Sequence, residues 1–523
     1  MSQAILNESH IGYSSQLAIF DKIKQNIGSK RSCVTTFYPI NDTSSGLLQF
    51  CISNSSTRYL DLRSARLNLT CKITGPNGEP IYPSDIQTKI NSSDSDSKSG
   101  TSENTASDVE TDPKAAAADA AAAAAAEAAI AAADATAAKN DDNDDDNYYY
   151  NTSVPLKIPT SAIRANIGIA NNFAHSIWSR VDVSIQSKNF SQSDQSYAYM
   201  SYLKAMLYSN SDMKESAMQG ALFYPDNASG VDDTNPLMTD NRGLQIRSAY
   251  FTQGQTVELS TPLHSDIFSI NRFLPGSIEI GLTFHPNSPR FYLMSQDDKK
   301  IVENCKLVII KSSLDIVLHE IEPAILLAHE QILRSHDAIF PYIRCEIKRI
   351  AMAKGLFEFS TDQPFSNFLP SEIVCGILKD SASHGNYKED GLYFGHCNLA
   401  SISVTVDNNH LINSPINTQY DDNAPCGGSY LQAYQSLAGV TGEEGVIPVS
   451  RLAYRKGHCL YRFISEALTD ASHDASVIPV KRTGNVRITV RFHKPLESAY
   501  NLVLYGAFPA GLKLDSFKNV YQI

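Results

Sequence analysis

The most constraining feature of this chain is a period of two. In "ARLNLTCKIT", Ala65, Leu67, Leu69, Cys71 and Ile73 fall on one face, while Arg66, Asn68, Thr70, Lys72 and Thr74 fall on the other. The same alternation returns at Leu48, Phe50 and Ile52, at Val181, Val183 and Ile185, and at Ile278, Ile280, Leu282 and Phe284. It continues at Leu307 and Ile309, Phe357 and Phe359, and Ile402, Val404 and Val406. It closes at Val486, Ile488, Val490 and Phe492, then at Tyr500, Leu502 and Leu504. Strands of this kind bury one face and solvate the other, as antiparallel sandwiches do. The 25 tyrosines and 21 phenylalanines suit strands as well.

Helical patterns are few. "SDQSYAYMSYLKAMLYS" predicts a helix with Asp194 as its cap, and "SDMKESAMQGALF" a second with Ser211 or Asp212 as cap. "EPAILLAHEQILRS" predicts a third, with Pro323 in its first turn. These helices do not alternate regularly with strands, which argues against a doubly wound sheet. A chain of 523 residues is expected to hold two or three domains. The division read here is an N-terminal arm over 1–32, a first sandwich over 33–300 and a second over 301–523. Each is sized for eight strands with long loops.

One segment breaks the pattern. From about residue 83 to 153 the text becomes polar and low in complexity, then alanine-rich, then "NDDNDDDN". Its outer parts bury too little apolar area to offset chain entropy and are expected to be disordered. The alanine tract favours a lone surface helix, with Asp112 as cap and Pro113 in its first turn. The insertion also explains the charge. Between Asp94 and Asp146 stand 14 acidic residues and three lysines, so this stretch carries −11 of the chain's −12 and leaves the body near −1. Such a body is neither a basic nucleic-acid binder nor an acidic mimic.

Nine cysteines occur, an odd number without a C-x-x-C pair, as expected of free thiols in a reducing compartment. The N-terminal text has no basic flank followed by an apolar core, so no secretion signal is expected. Triplets such as Asn68-Leu69-Thr70 are therefore read as chance. No apolar run reaches the roughly 18 residues a membrane span needs.

The search for chemistry finds only weak candidates. There is no P-loop, no G-x-G-x-x-G after a strand, no G-x-S-x-G and no H-E-x-x-H. His319, Glu320, His329 and Glu330 are spaced too far apart for one short helix face to converge them on a metal. Two "GHC" triplets, Gly395–Cys397 and Gly457–Cys459, read as packing thiols with loop histidines rather than zinc ligands. The run Asn140–Asn147 lacks the spaced ligands and glycine of a calcium loop. Arg451, Arg455 and Lys456 form a basic cluster too short for a nucleic-acid groove. Neither a catalytic residue, a cofactor nor a metal is expected, and no specific nucleic-acid binding.

The stretch "NNFAHSIWSRVDVSIQSKNFS" holds the only tryptophan. It reads as a strand start and a polar turn, with Trp178, Phe173 and Ile177 as apolar anchors. Asn171, Asn172, His175 and Ser179 are expected to satisfy backbone groups beside it. The alternative, His175 as a ligand or acid–base group, has only Asp182 nearby to support it.

This stretch resembles a segment of the double jelly-roll capsid-like proteins of Polinton (Maverick) elements and related animal genes, whose pattern is N-N-F-x-H-S-hydrophobic-[FW]-S-x-V-x-[VL]. The matches are Asn171, Asn172, Phe173, His175, Ser176, Trp178, Ser179, Val181 and Val183, then Tyr197 and Tyr202. "RYLDLRSARLNLTCKIT", "LHSDIFSINRFLPGSIEIGLTF", "RFYLMS" and "NVRITVRFHKPLESAYNLVLYGAF" are similar to further family segments in the same order. The alanine- and aspartate-rich insertion departs from the pattern.

The resemblance implies an all-β fold of two eight-stranded jelly rolls with a few short crossover helices. It implies a homotrimer that looks six-fold, tiling into an icosahedral shell with penton or minor capsid proteins as further partners, and a place in the virion capsid. Other readings stay open: a β-sandwich binding module for carbohydrate or receptor, a glycosidase-like enzyme with two carboxylates, or a domesticated host copy of a capsid gene.

Overall fold

The computed structural model describes residues 29–41, 46–83, 163–191, 195–228, 230–297, 302–365, 368–411, 413–421, 427–438, 447, 449–465 and 482–523. The predicted alanine helix, the acidic run, Asp194 and most of the N-terminal arm lie outside these residues.

The alternating segments become strands. Apart from two short two-stranded ladders (Ile81–Tyr82 with Ile163–Arg164, Gly168–Ile169 with Leu293–Met294), eight strands build the first half: β1 (Ser29–Phe37), β2 (Leu48–Ile52), β3 (Arg58–Thr74), β4 (Trp178–Ile185), β5 (Lys188–Asn189), β6 (Val257–Pro262), β7 (Ile280–Pro286) and β8 (Lys306–Ile321). They form two antiparallel sheets, in the orders β1-β8-β3-β6 and β2-β7-β4-β5. Eight corresponding strands build the second half: β9 (Ala338–Met352), β10 (Glu358–Asp362), β11 (Glu372–Lys379), β12 (Leu399–Val406), β13 (Asn409–His410), β14 (Leu460–Ile464), β15 (Val486–Phe492) and β16 (Tyr500–Leu514). Their sheets run β9-β16-β11-β14 and β10-β15-β12-β13, each with one short further strand: Val520–Gln522 pairs with β16 and Ile416–Asn417 with β12. Adding eight to each strand of the first set gives the second, so one strand order is used twice. In both sets the first strand returns to lie beside the last.

Two features differ from the sequence reading. Lys306–Ile321, expected beyond the boundary at 301, hydrogen-bonds to β1 and β3 and is the eighth strand of the first set. The hand-over between sets therefore falls between Ile321 and Ala338. Likewise Ser29–Ser32, expected in the arm, already belongs to β1.

The inward faces match the period-two reading. Leu48, Phe50 and Ile52 are buried on β2, and Phe50 lies opposite Leu282, which lies opposite Val183. Val486, Ile488 and Val490 do the same on β15. Phe357 is an exception: it precedes β10 and is 58% exposed.

Short helices fill the loops: α1 (Phe173–Ser176), α2 (Tyr197–Tyr208), α3 (Ser211–Glu215), α4 (Arg242–Ala249), α5 (Pro323–Leu333), α6 (Leu431–Ser436) and α7 (Arg451–Arg455). The caps are not those expected. Ser196 precedes α2, and Asn210 caps α3 by accepting from the Met213 N–H at 2.9 Å. Pro323 does open α5. No helix among the described residues is long and apolar enough to cross a membrane.

α2 joins the two sandwiches, because it is buried nearly all round. It packs on β4 of the first sandwich and against β9 of the second. Cys345, Ile347, Val374, Val503 and Tyr505 on this side of the second sandwich's sheet are all sealed.

Candidate functional site: the motif segment and the seam

The Asn171–Ser179 segment turns sharply before β4. Asn172 sits at φ 54°, ψ 44°, a left-handed conformation that asparagine tolerates better than most residues. The Asn171 carboxamide works as a hub. Its oxygen accepts from the N–H groups of Asn172 (2.8 Å) and Tyr224 (3.1 Å), and its amide donates to the Tyr224 carbonyl at 2.7 Å and to Asp226 at 3.0 Å. Ser176 Oγ donates to the Asn171 carbonyl, and Ser179 Oγ to those of His285 and Pro286. Asn172 and His175 differ from the expectation, since both bond to side chains. Asn172 donates to Ser201 Oγ at 2.9 Å. His175 lies 3.0 Å from the Tyr197 hydroxyl and 2.7 Å from Thr261 Oγ1.

Phe173 packs on Phe251 (4.9 Å between centroids) and on Tyr292, and Trp178 packs on Phe284 at 5.2 Å. Trp178 Nε1 is buried without a hydrogen-bond partner. Burial holds the His175 imidazole far below its ordinary pKa, with His264 beside it adding to the effect. His264 is depressed to about 3 by burial and by the Lys204 charge. Both rings are therefore neutral at physiological pH, and the partners of His175 are hydroxyls. The arrangement packs and orients, and among the described residues the hydrogen bonds of His175 go to hydroxyls and not to a carboxylate.

The same loop region carries a buried ion pair that no sequence motif announced. Arg247 on α4 meets Asp226 at 2.8 Å with both side chains almost fully sealed (1% and 3% exposed). Its remaining donors reach the carbonyls of Ile169 (3.0 Å) and Tyr224 (2.8 Å), and Asn241 adds a bond to Asp226. A buried pair is tolerated only when its polar atoms are satisfied in this way. Across the seam lies Asp390 of the second sandwich. Burial and the Asp226 charge push its carboxyl up to about 6, against the pull of the Leu392 N–H and of Arg247. Tyr202 of α2 stacks on Phe394 in the same region (6.4 Å, 17°).

At the other end of α2, Asp266 accepts from Lys204 Nζ (2.9 Å) and from the Cys345 N–H (2.8 Å). The Tyr208 hydroxyl donates to Glu372 at 2.8 Å. Arg462 pairs with Glu372 at 2.7 Å, out of line for a straight hydrogen bond.

The other candidates are not gathered into sites. His319 stacks on Phe273 and bonds Ser32, whereas His329 stacks on Tyr59. The two G-H-C segments do lie side by side, through a bridge between Phe394 and His458. Even so, His396 stacks on Tyr420 and His458 faces backbone carbonyls. Burial pushes the Cys397 thiol up to about 12, the reverse of a metal thiolate. Among the described residues no group of three or more His, Cys, Asp or Glu side chains could hold a metal ion. Arg455 is buried and donates to the Asp421 carbonyl, and Arg451 lies over the Tyr430 ring at 5.3 Å. Eight cysteines in the described residues are free thiols.

No family model matches the sequence. The uncharacterized protein F54H12.2 of Caenorhabditis elegans is 21% identical over 358 residues, which cover 67% of this chain and 80% of that one. Among solved structures, VP54 of PBCV-1, fitted into a cryo-EM reconstruction of the virophage Sputnik, superposes with a TM-score of 0.50 at 8% identity, covering 96% of this chain and 98% of its own. The Faustovirus major capsid protein gives 0.46 at 10% identity (96% and 92% covered), and the mavirus major capsid protein 0.42 at 10% (99% and 95%). The fold of this chain is a double jelly roll with few short helices.

Proposed function

We propose that this chain is a structural capsid subunit of the Polinton/Maverick type, assembling as a homotrimer whose six rolls form a pseudo-hexameric capsomer. Such capsomers would tile an icosahedral shell, meet penton or minor capsid proteins, and reside in the virion. In this reading the rolls span 29–321 and 338–523, the Asn171–Ser179 segment is a structural motif of the first roll, and the chain carries no catalytic function. The observation that carries it is the use of one strand order twice, with α2 of the first roll packed against β9 of the second. Full-length likeness in fold to VP54, a protein fitted into a virophage reconstruction, supports the same reading.

The test is to express the full chain and measure its mass by light scattering, then image it by electron microscopy. The expected result is a three-chain species with a six-lobed outline. A single-chain species at micromolar concentration overturns the reading. A second reading, a domesticated copy of such a gene in an animal genome, is favoured by the nematode relative. Trimers that never close into shells under any assembly condition would favour it.

A further inference from the structure

The two rolls treat one sheet edge differently. In the first roll β2 is an edge strand, and the chain just ahead of it lies along that edge. The Ile40 N–H donates to the Gln49 carbonyl at 2.7 Å, and the Gln49 N–H donates to the Asn41 side chain at 2.8 Å. The link from β1 to β2 runs over residues 38–47 and is long enough to fold back in this way. In the second roll the counterpart of β2 is β10. Its link from β9 runs only over residues 353–357 and turns at Gly355 (φ 86°), which leaves no chain to lie along the edge.

Among the described residues β10 pairs with β15 alone. Its odd-numbered positions make that ladder. The Phe357 carbonyl accepts from the Phe492 N–H at 2.8 Å, and the Gln363 N–H donates to the Val486 carbonyl at 2.7 Å. Antiparallel pairing alternates along a strand. The N–H and C=O groups of Glu358, Ser360 and Asp362 therefore point away from the sheet, and all three residues are exposed. A row of uncovered donors and acceptors is a template for one more strand.

The side chains along the edge restrict what that strand can be. On the outer face Glu358 pairs with Arg491 at 3.2 Å, Ser360 meets Thr489 Oγ1 at 3.2 Å, and Asp362 takes two bonds from Arg487. Charge alternates from β15 to β10, so the next position outward in the first and third rows faces a carboxylate. On the opposite face Phe359 packs against the core, and Phe357, one alternation earlier, is 58% exposed. A second copy of β10 does not suit this edge. Paired antiparallel about Ser360, it would set Glu358 against Asp362, and like charges directly opposite are destabilising.

We propose that the free edge of β10 takes an extended segment of another polypeptide, with Lys or Arg, then Ser or Thr, then Lys or Arg at alternate positions and apolar residues between them. Its cations continue the rows of Glu358 and Asp362, and its apolar side chains lie beside Phe357 and Phe359. Its backbone bonds go to Glu358, Ser360 and Asp362. The pattern reads the same in both directions, so it fits parallel and antiparallel addition alike. This inference goes beyond the shell-subunit reading and concerns the single chain, whatever its state of assembly.

The test titrates the full-length chain into a labelled, end-capped peptide of sequence KVTVK and reads fluorescence anisotropy, with EVTVE as the comparison. The expected result is saturable binding of KVTVK, with EVTVE about tenfold weaker or more. Ser360→Pro removes an outward N–H that β15 does not use, so the fold is kept while KVTVK binding falls about tenfold or more. The double variant Glu358→Lys, Asp362→Lys is expected to prefer EVTVE, and it decides the matter should the proline variant lose its native circular dichroism. Equal KVTVK binding by the parent and a folded Ser360→Pro overturns the proposal, and so does an unchanged preference in the double variant. A parent that binds neither peptide also overturns it. In that case hydrogen exchange at the Ser360 amide assigns the edge: slow exchange means that another segment of the same chain covers it, and fast exchange means that the charges only guard it against pairing. None of these results alters the mass and imaging test of the shell reading.

Discussion

The Tyr208 hydroxyl donates to Glu372 across the seam at 2.8 Å, tying the last turn of α2 in the first roll to the first residue of β11 in the second. Glu372 is buried, and its other contact is the off-line ion pair with Arg462. Removing the donor leaves a carboxylate oxygen short of a partner where water has little access. Tyr208→Phe is therefore expected to destabilise the folded chain by about 1–3 kcal/mol, read as a lowered urea midpoint with an unchanged slope.

Asp390 makes a pH-dependent prediction. Its folded pKa of about 6 lies above its ordinary value because burial and Asp226 disfavour the charged form. The folded state therefore holds this proton over a pH range where the unfolded state has lost it. The contribution favours folding at low pH and is lost as pH rises from about 4 to about 6. The penalty at neutral pH is on the order of 3 kcal/mol. Asp390→Asn keeps an oxygen for the Leu392 N–H and removes the charge. The variant is expected to match the parent in stability near pH 4 and to exceed it increasingly up to pH 6, with a constant gain above. Urea midpoints measured across that range check it; a gain that is the same at every pH excludes the charge as the cause.

Much of this fold was legible because sandwich strands advertise themselves locally. The alternation at Leu48–Ile52 or Val486–Phe492 reports one buried face whatever the partner strand is. Sheet membership is a different matter. Lys306–Ile321 follows the polar run "SQDDKK" and looked like the start of a new unit, yet it pairs with strands at Ser29–Phe37 and Arg58–Thr74. Nothing local encodes so distant a pairing. The seam was hidden for a related reason. "EIVCGILK" at Glu372–Lys379 is buried on both faces and shows no alternation. Asp226, Arg247 and Asp390 are single charged residues in loops, and only the fold brings them together.

Trp178 tests the motif segment. Its ring packs on Phe284 in the first roll's core, while its indole N–H has no partner. Replacement by phenylalanine leaves a smaller cavity and gives up no hydrogen bond, and is expected to cost about 1–3 kcal/mol. Trp178→Ala leaves a cavity and is expected to cost about 3–5 kcal/mol. Thermal unfolding followed by circular dichroism separates the two. A phenylalanine loss as large as that expected for alanine would mean that the indole N–H does form a hydrogen bond.

The β4–β5 turn offers the opposite kind of substitution. Gln186 and Ser187 both sit at positive φ, the geometry of a tight hairpin whose twist matches its strands. The equivalent turn in the second roll uses Asp407 and Asn408, which tolerate that geometry, and Asp407 also accepts from the Asn485 N–H. Ser187 is exposed and φ 64° is costly for serine. Ser187→Gly removes that cost but loosens the unfolded chain, so the two effects partly offset each other. The net expectation is a gain of about 0.5–1 kcal/mol, with Asn408→Gly giving a smaller one because asparagine already accepts the conformation. Urea denaturation of the two variants against the parent checks the order, and a larger gain at Asn408 would overturn it.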